Sequence, residues 1–217
     1  MERRRAAGAN GDSPIIDSLI RHTVDGRPLT DDEILVQLRS IMLGGTETVP
    51  KVFGHGLMEL AREPAQRRAV VADLDVTAAI AVQEMLRYCA PGQWFLRSVA
   101  SSVTVGGMSM KVGQRVLPLL MSANRDPRAF DDPDRFVWNR KIVSHLGFGQ
   151  GFKFCPGSHL ARLELQILVE EFLTAFPAYE VDESASERPP SHFQWAWSHV
   201  RANPGPSSGT SAEHEEK

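Results

Sequence analysis

Residues 30–63 write a single helix pattern that is too long and too interrupted for an ordinary surface helix. Thr30-Asp31-Asp32-Glu33 is a capping box, in which the threonine and the glutamate three residues on satisfy backbone N–H groups that a helix start leaves unpaired. Ile34, Leu35, Leu38, Ile41 and Met42 then recur at helical spacing, and Val49, Val52, Phe53, Leu57 and Leu60 carry the stripe onward. The run predicts a helix of about thirty residues, where globular proteins average ten to fourteen. Gly44, Gly45 and Pro50 interrupt it. A glycine inside a helix costs about 1 kcal/mol relative to alanine, and a proline removes one helix hydrogen bond. Such costs make sense where a helix backbone passes close to a ligand. Thr48 can turn its hydroxyl back to a carbonyl and loosen the helix locally. The plainer alternative is a hinge or capping region in a long helix.

Around this element the chain reads as mostly helical. Ser13-Pro14 has the form of an N-cap followed by proline at the first helical position, starting a short helix through residue 20. A short helix follows Pro64 and another spans about 77–88. Over 99–120 the texture changes: SVTV, GG, MSM, VGQ and RVLPLL read as short strands joined by tight turns. MSANRDPRAFDDPDRF, with two Asp-Pro pairs, predicts an ordered irregular loop. Residues 157–176 are helical, with Leu160, Leu163, Leu165, Ile167, Leu168, Phe172 and Leu173 near one face and Pro177 as the stop. HFQWAWSHV suggests a final hairpin. From residue 203 onward Gly, Ser, Pro and Glu predominate, which predicts a disordered tail. The class is mostly α with small β-sheets, and 1–202 form the ordered part.

Bulk properties exclude several functions. The chain has 217 residues, 42% of them hydrophobic and 24% charged, with net charge −3, so no general polyanion or nucleic-acid binding is indicated. Two cysteines are no disulfide framework and suit a reducing compartment. No apolar run reaches the length of a membrane span. The basic start MERRRAAGANGDSP lacks the apolar core of a signal peptide.

Residues 148–164 read FGQGFKFCPGSHLARLE and hold one of the two cysteines. Gly147, Gly149, Gly151 and Gly157 surround Cys155, and glycine permits positive φ and close approach of a flat ligand. Pro156 can open a helix, which places Cys155 where backbone N–H groups point outward unpaired and where the helix dipole favours a thiolate. A thiolate is a metal ligand, and Phe148 and Phe154 would keep water off it. Three readings stay open on these residues: a plain buried cysteine, a zinc pair with His159 four residues on, and a thiolate ligand of another metal.

The spacing F-G-x-G-x-x-x-C-x-G, here Phe148, Gly149, Gly151, Cys155 and Gly157, resembles the haem-binding loop of the cytochrome P-450 family, and the flanking HLGFG and HLARLE look like its soluble bacterial members. Two further motifs agree. Glu84-Met85-Leu86-Arg87 is similar to the family's E-x-x-R pair; taken alone, it is a common i,i+3 ion pair worth about 0.2–0.5 kcal/mol. Gly44-Gly45-Thr46-Glu47-Thr48 resembles its oxygen-binding groove. The resemblance implies haem b with Cys155 as the thiolate ligand of iron, which favours O–O cleavage. It implies O2 as co-substrate, with Glu47 and Thr48 delivering protons. Lys153 stands where the family usually has His or Arg facing a haem propionate, keeping the charge without the planar fork. Arg97 stands where an arginine usually meets a propionate. Glu84 and Arg87 are implied to be structural, tied to the DPDRF segment through Arg135 or Arg140. Residues 91–96 and 194–197, with Trp94, Phe95, Trp195 and Trp197, are implied to line a bulky pocket for a small apolar substrate. Cys89 reads as core.

The resemblance covers essentially the ordered chain but only the C-terminal half of the family's fold. It implies a cytoplasmic monooxygenase fed by a ferredoxin or other electron-donor protein docking near Lys153, Arg162 and Arg140, with no membrane segment in this chain. The alternative is a truncated, catalytically inactive fragment that binds haem weakly or not at all.

Overall fold

The computed structural model describes residues 4–5 and 13–205. The chain comprises two compact units, Met1–Glu47 and Thr48–Lys217, and the long helix α2 (Asp31–Arg62) carries the boundary within it. Of the tail expected from residue 203, Asn203 ends a strand and 206–217 lie outside the described residues.

In the first unit, helix α1 (Pro14–Arg21) opens on proline as expected, although the Ser13 hydroxyl makes no capping bond. Its Asp17 is buried and held at both carboxylate oxygens by Arg4, at 2.9 and 3.0 Å. A two-residue Asp25-Gly26 turn, with φ of 50° and 77°, joins β1 (Thr23–Val24) to β2 (Arg27–Pro28). Asp-Gly is the favoured pair for such a turn; this hairpin is absent from the sequence reading. The capping box at the start of α2 forms in both directions: the Glu33 amide donates to Thr30 Oγ1 at 3.2 Å, and the Thr30 amide donates to Glu33 Oε2 at 2.8 Å. Arg27 clamps the same carboxylate, and together these donors lower the Glu33 pKa to about 2.

The second unit contains the main core. The second half of α2, α3 (Pro64–Val71), α4 (Leu74–Tyr88) and α6 (Ser158–Ala175) bury Val49, Val52, Leu60, Val70, Ala81, Val82, Met85, Leu165, Val169 and Leu173 against one another. Gly56 sits where a Cβ would come within 2.5 Å of Met85 Sδ, so α2 and α4 approach closely at that point. Helix α4 starts three residues earlier than expected, because the Asp73 carbonyl accepts the Val76 and Thr77 amides while the buried Thr77 hydroxyl donates to the Val70 carbonyl. Cys89 is fully buried in this core, as expected, and burial pushes its thiol well above the usual range.

The sheets are four separate antiparallel pairs. β3 (Arg97–Ser98) pairs with β6 (Arg115–Val116), and β4 (Val103–Val105) pairs with β5 (Met108–Met110) across Gly106-Gly107, both at positive φ. VGQ supplies another of the tight turns, with Gly113 at φ 87°. Beyond Val116 the expected strand stops; Leu119 bridges to Trp94 and the short helix α5 (Leu120–Ala123) follows.

The final hairpin is not HFQWAWSHV. It is β7 (Glu180–Glu187) with β8 (His199–Asn203), while the aromatic stretch between them contributes a single bridge, Gln194 to Gly92. Strand β7 reads EVDESASE, mostly polar residues of low β-propensity, with Val181 packed on the core. Its pairing is made by the backbone, downstream of Tyr179, which is fully buried and donates its hydroxyl to the Leu57 carbonyl at 2.6 Å.

Candidate functional site

The site is built on α4. Glu84 and Arg87, three residues apart, are both 0% exposed. Arg87 donates Nε and Nη2 to the two Glu84 oxygens, each at 2.7 Å, and spends its other hydrogens on the carbonyls of Asn124 (2.7 Å), Pro133 (2.9 Å) and Arg135 (3.3 Å). Glu84 Oε1 also accepts the Val137 amide at 2.9 Å and Arg140 Nε at 3.1 Å. The choice between Arg135 and Arg140 therefore has a double answer: Arg140 supplies the side chain and Arg135 only its carbonyl. This buried fork-to-fork pair satisfies each polar group around it, unlike the exposed i,i+3 pair the spacing alone suggests.

Asn124 passes that order on to the cysteine loop. It is 1% exposed, donates to the Arg87 carbonyl at 3.1 Å, and accepts the Leu146 amide at 2.7 Å. Sequence reasoning missed it; its only signal is its place in the turn-rich MSANRDP stretch. Gly147 comes next, and a Cβ there would land on the Leu86 carbonyl oxygen of α4. Its amide donates to His145 Nδ1 at 3.0 Å, so that nitrogen must be unprotonated. Burial, with the charges of Arg162 and Arg87, lowers the His145 pKa to about 4, which keeps it so.

The loop then closes on itself. Gly149 and Gly151 stand at φ 73° and 64°, conformations that ask for glycine. The Cys155 amide donates to the Phe148 carbonyl at 2.9 Å and the Cys155 carbonyl accepts the Ser158 amide at 3.3 Å. The cysteine's own amide is thus used to pin the loop, and its thiol is a free, half-buried group just before the helix start. Phe148 and Phe154 flank it with ring centroids 6.2 Å apart, and Arg162 lies over the Phe148 ring at 4.6 Å. Phe154 is itself 46% exposed, Lys153 is exposed and Cys155 is half-buried.

Gly157 has neither positive φ nor a crowded neighbour; an added Cβ would meet only the Cys155 sulfur, at 3.9 Å. At Gly44 and Gly45, mid-helix in α2, a Cβ would meet nothing within 4 Å. No protein neighbour explains these three glycines. Glu47 ends the first unit and Thr48 opens the second, both half-buried on α2; the Thr46 hydroxyl back-bonds to the Met42 carbonyl at 2.8 Å.

Arg97 is exposed on β3 and donates to the neighbouring Leu96 carbonyl at 3.1 Å. The two stretches 91–96 and 194–197 do meet, through the Gly92–Gln194 bridge and the Trp195 amide, which donates to the Pro91 carbonyl at 2.8 Å; Trp94 and Phe95 stand edge-on to Phe193, just outside the second stretch, at 5.2 and 5.7 Å. Trp195 and Trp197 are engaged elsewhere, under the Arg188 guanidinium. Among the described residues no group of three His, Cys, Asp or Glu side chains is placed to hold a metal, so the Cys155–His159 zinc pair finds no completing ligand. None of the described helices is long and apolar enough to cross a membrane.

Comparison with known proteins agrees with this arrangement. The chain is 35% identical over 167 residues to a steroid C26-monooxygenase of Mycolicibacterium smegmatis, covering 77% of this chain and 41% of that protein. It is 36% identical over 179 residues to the cyclomarin C epoxidase CymV of Salinispora arenicola, covering 82% of this chain and 45% of that protein. It superposes on Mycobacterium marinum cytochrome P450 CYP268A2 in complex with pseudoionone with a TM-score of 0.82 at 30% identity, covering 93% of this chain and 48% of that one. The chain thus spans less than half the length of these relatives. The Cytochrome P450 family model matches residues 71–202, a stretch that holds the buried Glu84–Arg87 pair and the whole cysteine loop, and the chain belongs to that family.

Proposed function

We propose that this chain carries the haem-binding part of a monooxygenase that inserts one atom of O2 into a small apolar organic substrate, with Cys155 as the iron ligand. The observation that carries the reading is the free, half-buried Cys155 thiol in a loop whose backbone is pinned to the buried Glu84–Arg87 network.

The residues present fit haem. The thiol has no disulfide partner, and Gly157 beside it leaves room for a flat group that a side chain would take. Bound haem would supply the redox chemistry, R–H + O2 + 2e⁻ + 2H⁺ giving R–OH + H2O. Cys155 would hold the iron, and Lys153 and Arg97, both exposed cations, would meet the propionates. The Gly149 and Gly151 turns keep the loop backbone in the one path that presents the sulfur. Glu47 and Thr48, consecutive on α2, would hand on protons through a carboxylate and a hydroxyl. The Phe95 and Leu96 side chains, both exposed, suit an apolar substrate.

Electrons would come from a ferredoxin or other donor protein, and the setting would be cytoplasmic. Of the three cations expected to dock that partner, Arg140 is excluded: it is locked to Glu84 and to the carbonyls of Asp131, Asp132 and Arg135, which leaves Lys153 and Arg162.

The test is the carbon-monoxide difference spectrum of the reduced, haem-supplemented 217-residue chain beside its Cys155→Ala variant. A red-shifted Soret band in the first and its loss in the second is the expected result. The same band in Cys155→Ala overturns the ligand assignment. No band in either favours the second reading, a family member whose chain binds haem weakly or not at all; the exposure of Phe154 and Lys153 beside the half-buried Cys155 is the observation behind it.

A further inference from the structure

Away from the cysteine loop, the second unit encloses a half-open cavity of about 190 Å³ that no step above uses. Its most deeply buried lining residues are His55 and Glu59, on consecutive turns of α2 and 3% and 7% exposed. Arg62, Tyr88 and Arg125 line it further, and Arg188 with Trp195 and Trp197 complete it.

The polar inventory of this cavity is lopsided. Its one carboxylate, Glu59, is already taken by Arg62 Nη1 at 2.6 Å and faces His55 Nε2 at 3.5 Å. Arg62 gives two further hydrogens, from Nε and Nη2, to Glu183. Arg125 reaches Asp134 at 3.2 Å and the Tyr88 carbonyl at 3.4 Å, and its plane lies 3.7 Å over the Tyr88 ring. That leaves Arg125 Nε, Trp197 Nε1 and His55 Nδ1 buried without a hydrogen-bond partner among the described residues. The first two can only donate. Arg188 stacks on Trp195 at 3.3 Å and on Trp197 at 5.2 Å and has no ion pair among the described residues. Partial burial and the nearby Arg62 charge lower its pKa, with Glu59 acting in the opposite direction.

Unpaired buried donors beside a guanidinium that makes no ion pair among the described residues call for an acceptor-rich, negatively charged occupant. We propose that this cavity binds a small oxyanion, taken between the Arg188 fork, Trp197 Nε1 and Arg125 Nε. The inference stands on residues outside the cysteine loop and does not depend on haem being bound.

The test is titration calorimetry of the 217-residue chain with inorganic phosphate, with acetate in a parallel arm, against sodium chloride at equal ionic strength. Saturable one-to-one binding is expected, and the stronger arm tells whether a tetrahedral or a planar anion fits. Arg188→Gln, an exposed residue whose loss leaves the core intact, is expected to weaken binding about tenfold by removing a charge-assisted contact. Trp197→Phe keeps the ring and removes only the N–H, and is expected to weaken it about threefold or more. Absence of saturable binding of either anion by the unmodified chain overturns the proposal. So does binding that is unchanged in either variant, since the ion would then sit elsewhere.

Discussion

Removal of the Glu84 carboxylate is the sharpest perturbation the structure offers. Glu84 and Arg87 are both 0% exposed, and the carboxylate accepts two bonds from Arg87 at 2.7 Å, the Val137 amide at 2.9 Å and Arg140 Nε at 3.1 Å. Glu84→Ala takes away all four acceptor contacts and leaves the Arg87 guanidinium buried without its counter-charge. Breaking one side of a buried pair costs about 3–5 kcal/mol, against about 0.2–0.5 kcal/mol for an exposed i,i+3 pair. Domains have about 5–15 kcal/mol in total, so the variant loses a large fraction of its stability. The cost comes from the stranded cation rather than from the worth of the pair, so a Glu84→Leu/Arg87→Leu double variant is expected to be less damaged than the sum of its single changes. Urea unfolding followed by circular dichroism measures all of these. A Glu84→Ala chain within about 1 kcal/mol of the parent, on the scale of a solvated pair, refutes the buried-network reasoning.

The other predictions concern the cysteine loop and α2. Gly147→Ala drives a Cβ into the Leu86 carbonyl, a backbone atom that cannot swing aside, and is expected to cost about 1–3 kcal/mol and to lower haem uptake. Gly157→Ala meets only the Cys155 sulfur at 3.9 Å, so its stability is expected to be unchanged while haem uptake falls; equal uptake would remove the room argument. Lowering of the His145 pKa to about 4, from 6.5 in an unfolded chain, stabilises the fold above pH 6.5, and that contribution is lost as pH falls toward 4. It is worth about 3 kcal/mol at most, and urea midpoints across this range should fall less steeply in His145→Gln; identical slopes refute it. Thr48→Ala is expected to leave haem uptake intact and to raise the peroxide released per electron pair consumed, and an unchanged peroxide yield counts against proton delivery by Thr48.

Several elements were legible because their causes are local. The capping box of Thr30 and Glu33, the Gly-Gly turn between β4 and β5, and the glycine spacing around Cys155 each depend on a few adjacent residues and backbone sterics. Others were not. Strand β7 is mostly polar, with only Val181 packed on the core, and its partner β8, from beyond the aromatic stretch, supplies the pairing that makes it a strand. Asn124 carries no motif, yet it couples α4 to the loop. The locking of Arg140 follows from its burial against Glu84, which no spacing along the chain announces.

From sequence alone came the family, the mostly helical class and the identity of Cys155, Glu84 and Arg87, since these rest on residue type at fixed spacing. Only the tertiary structure decided that the Glu84–Arg87 pair is fully buried, that Arg140 and three backbone carbonyls complete it, and that Gly147 is required by the Leu86 carbonyl. It also gathered His55, Arg125, Arg188 and Trp197, up to 142 positions apart, around one cavity. The reason is physical: spacing along a chain sets local geometry, whereas desolvation and the pairing of buried charge depend on which distant segments pack together.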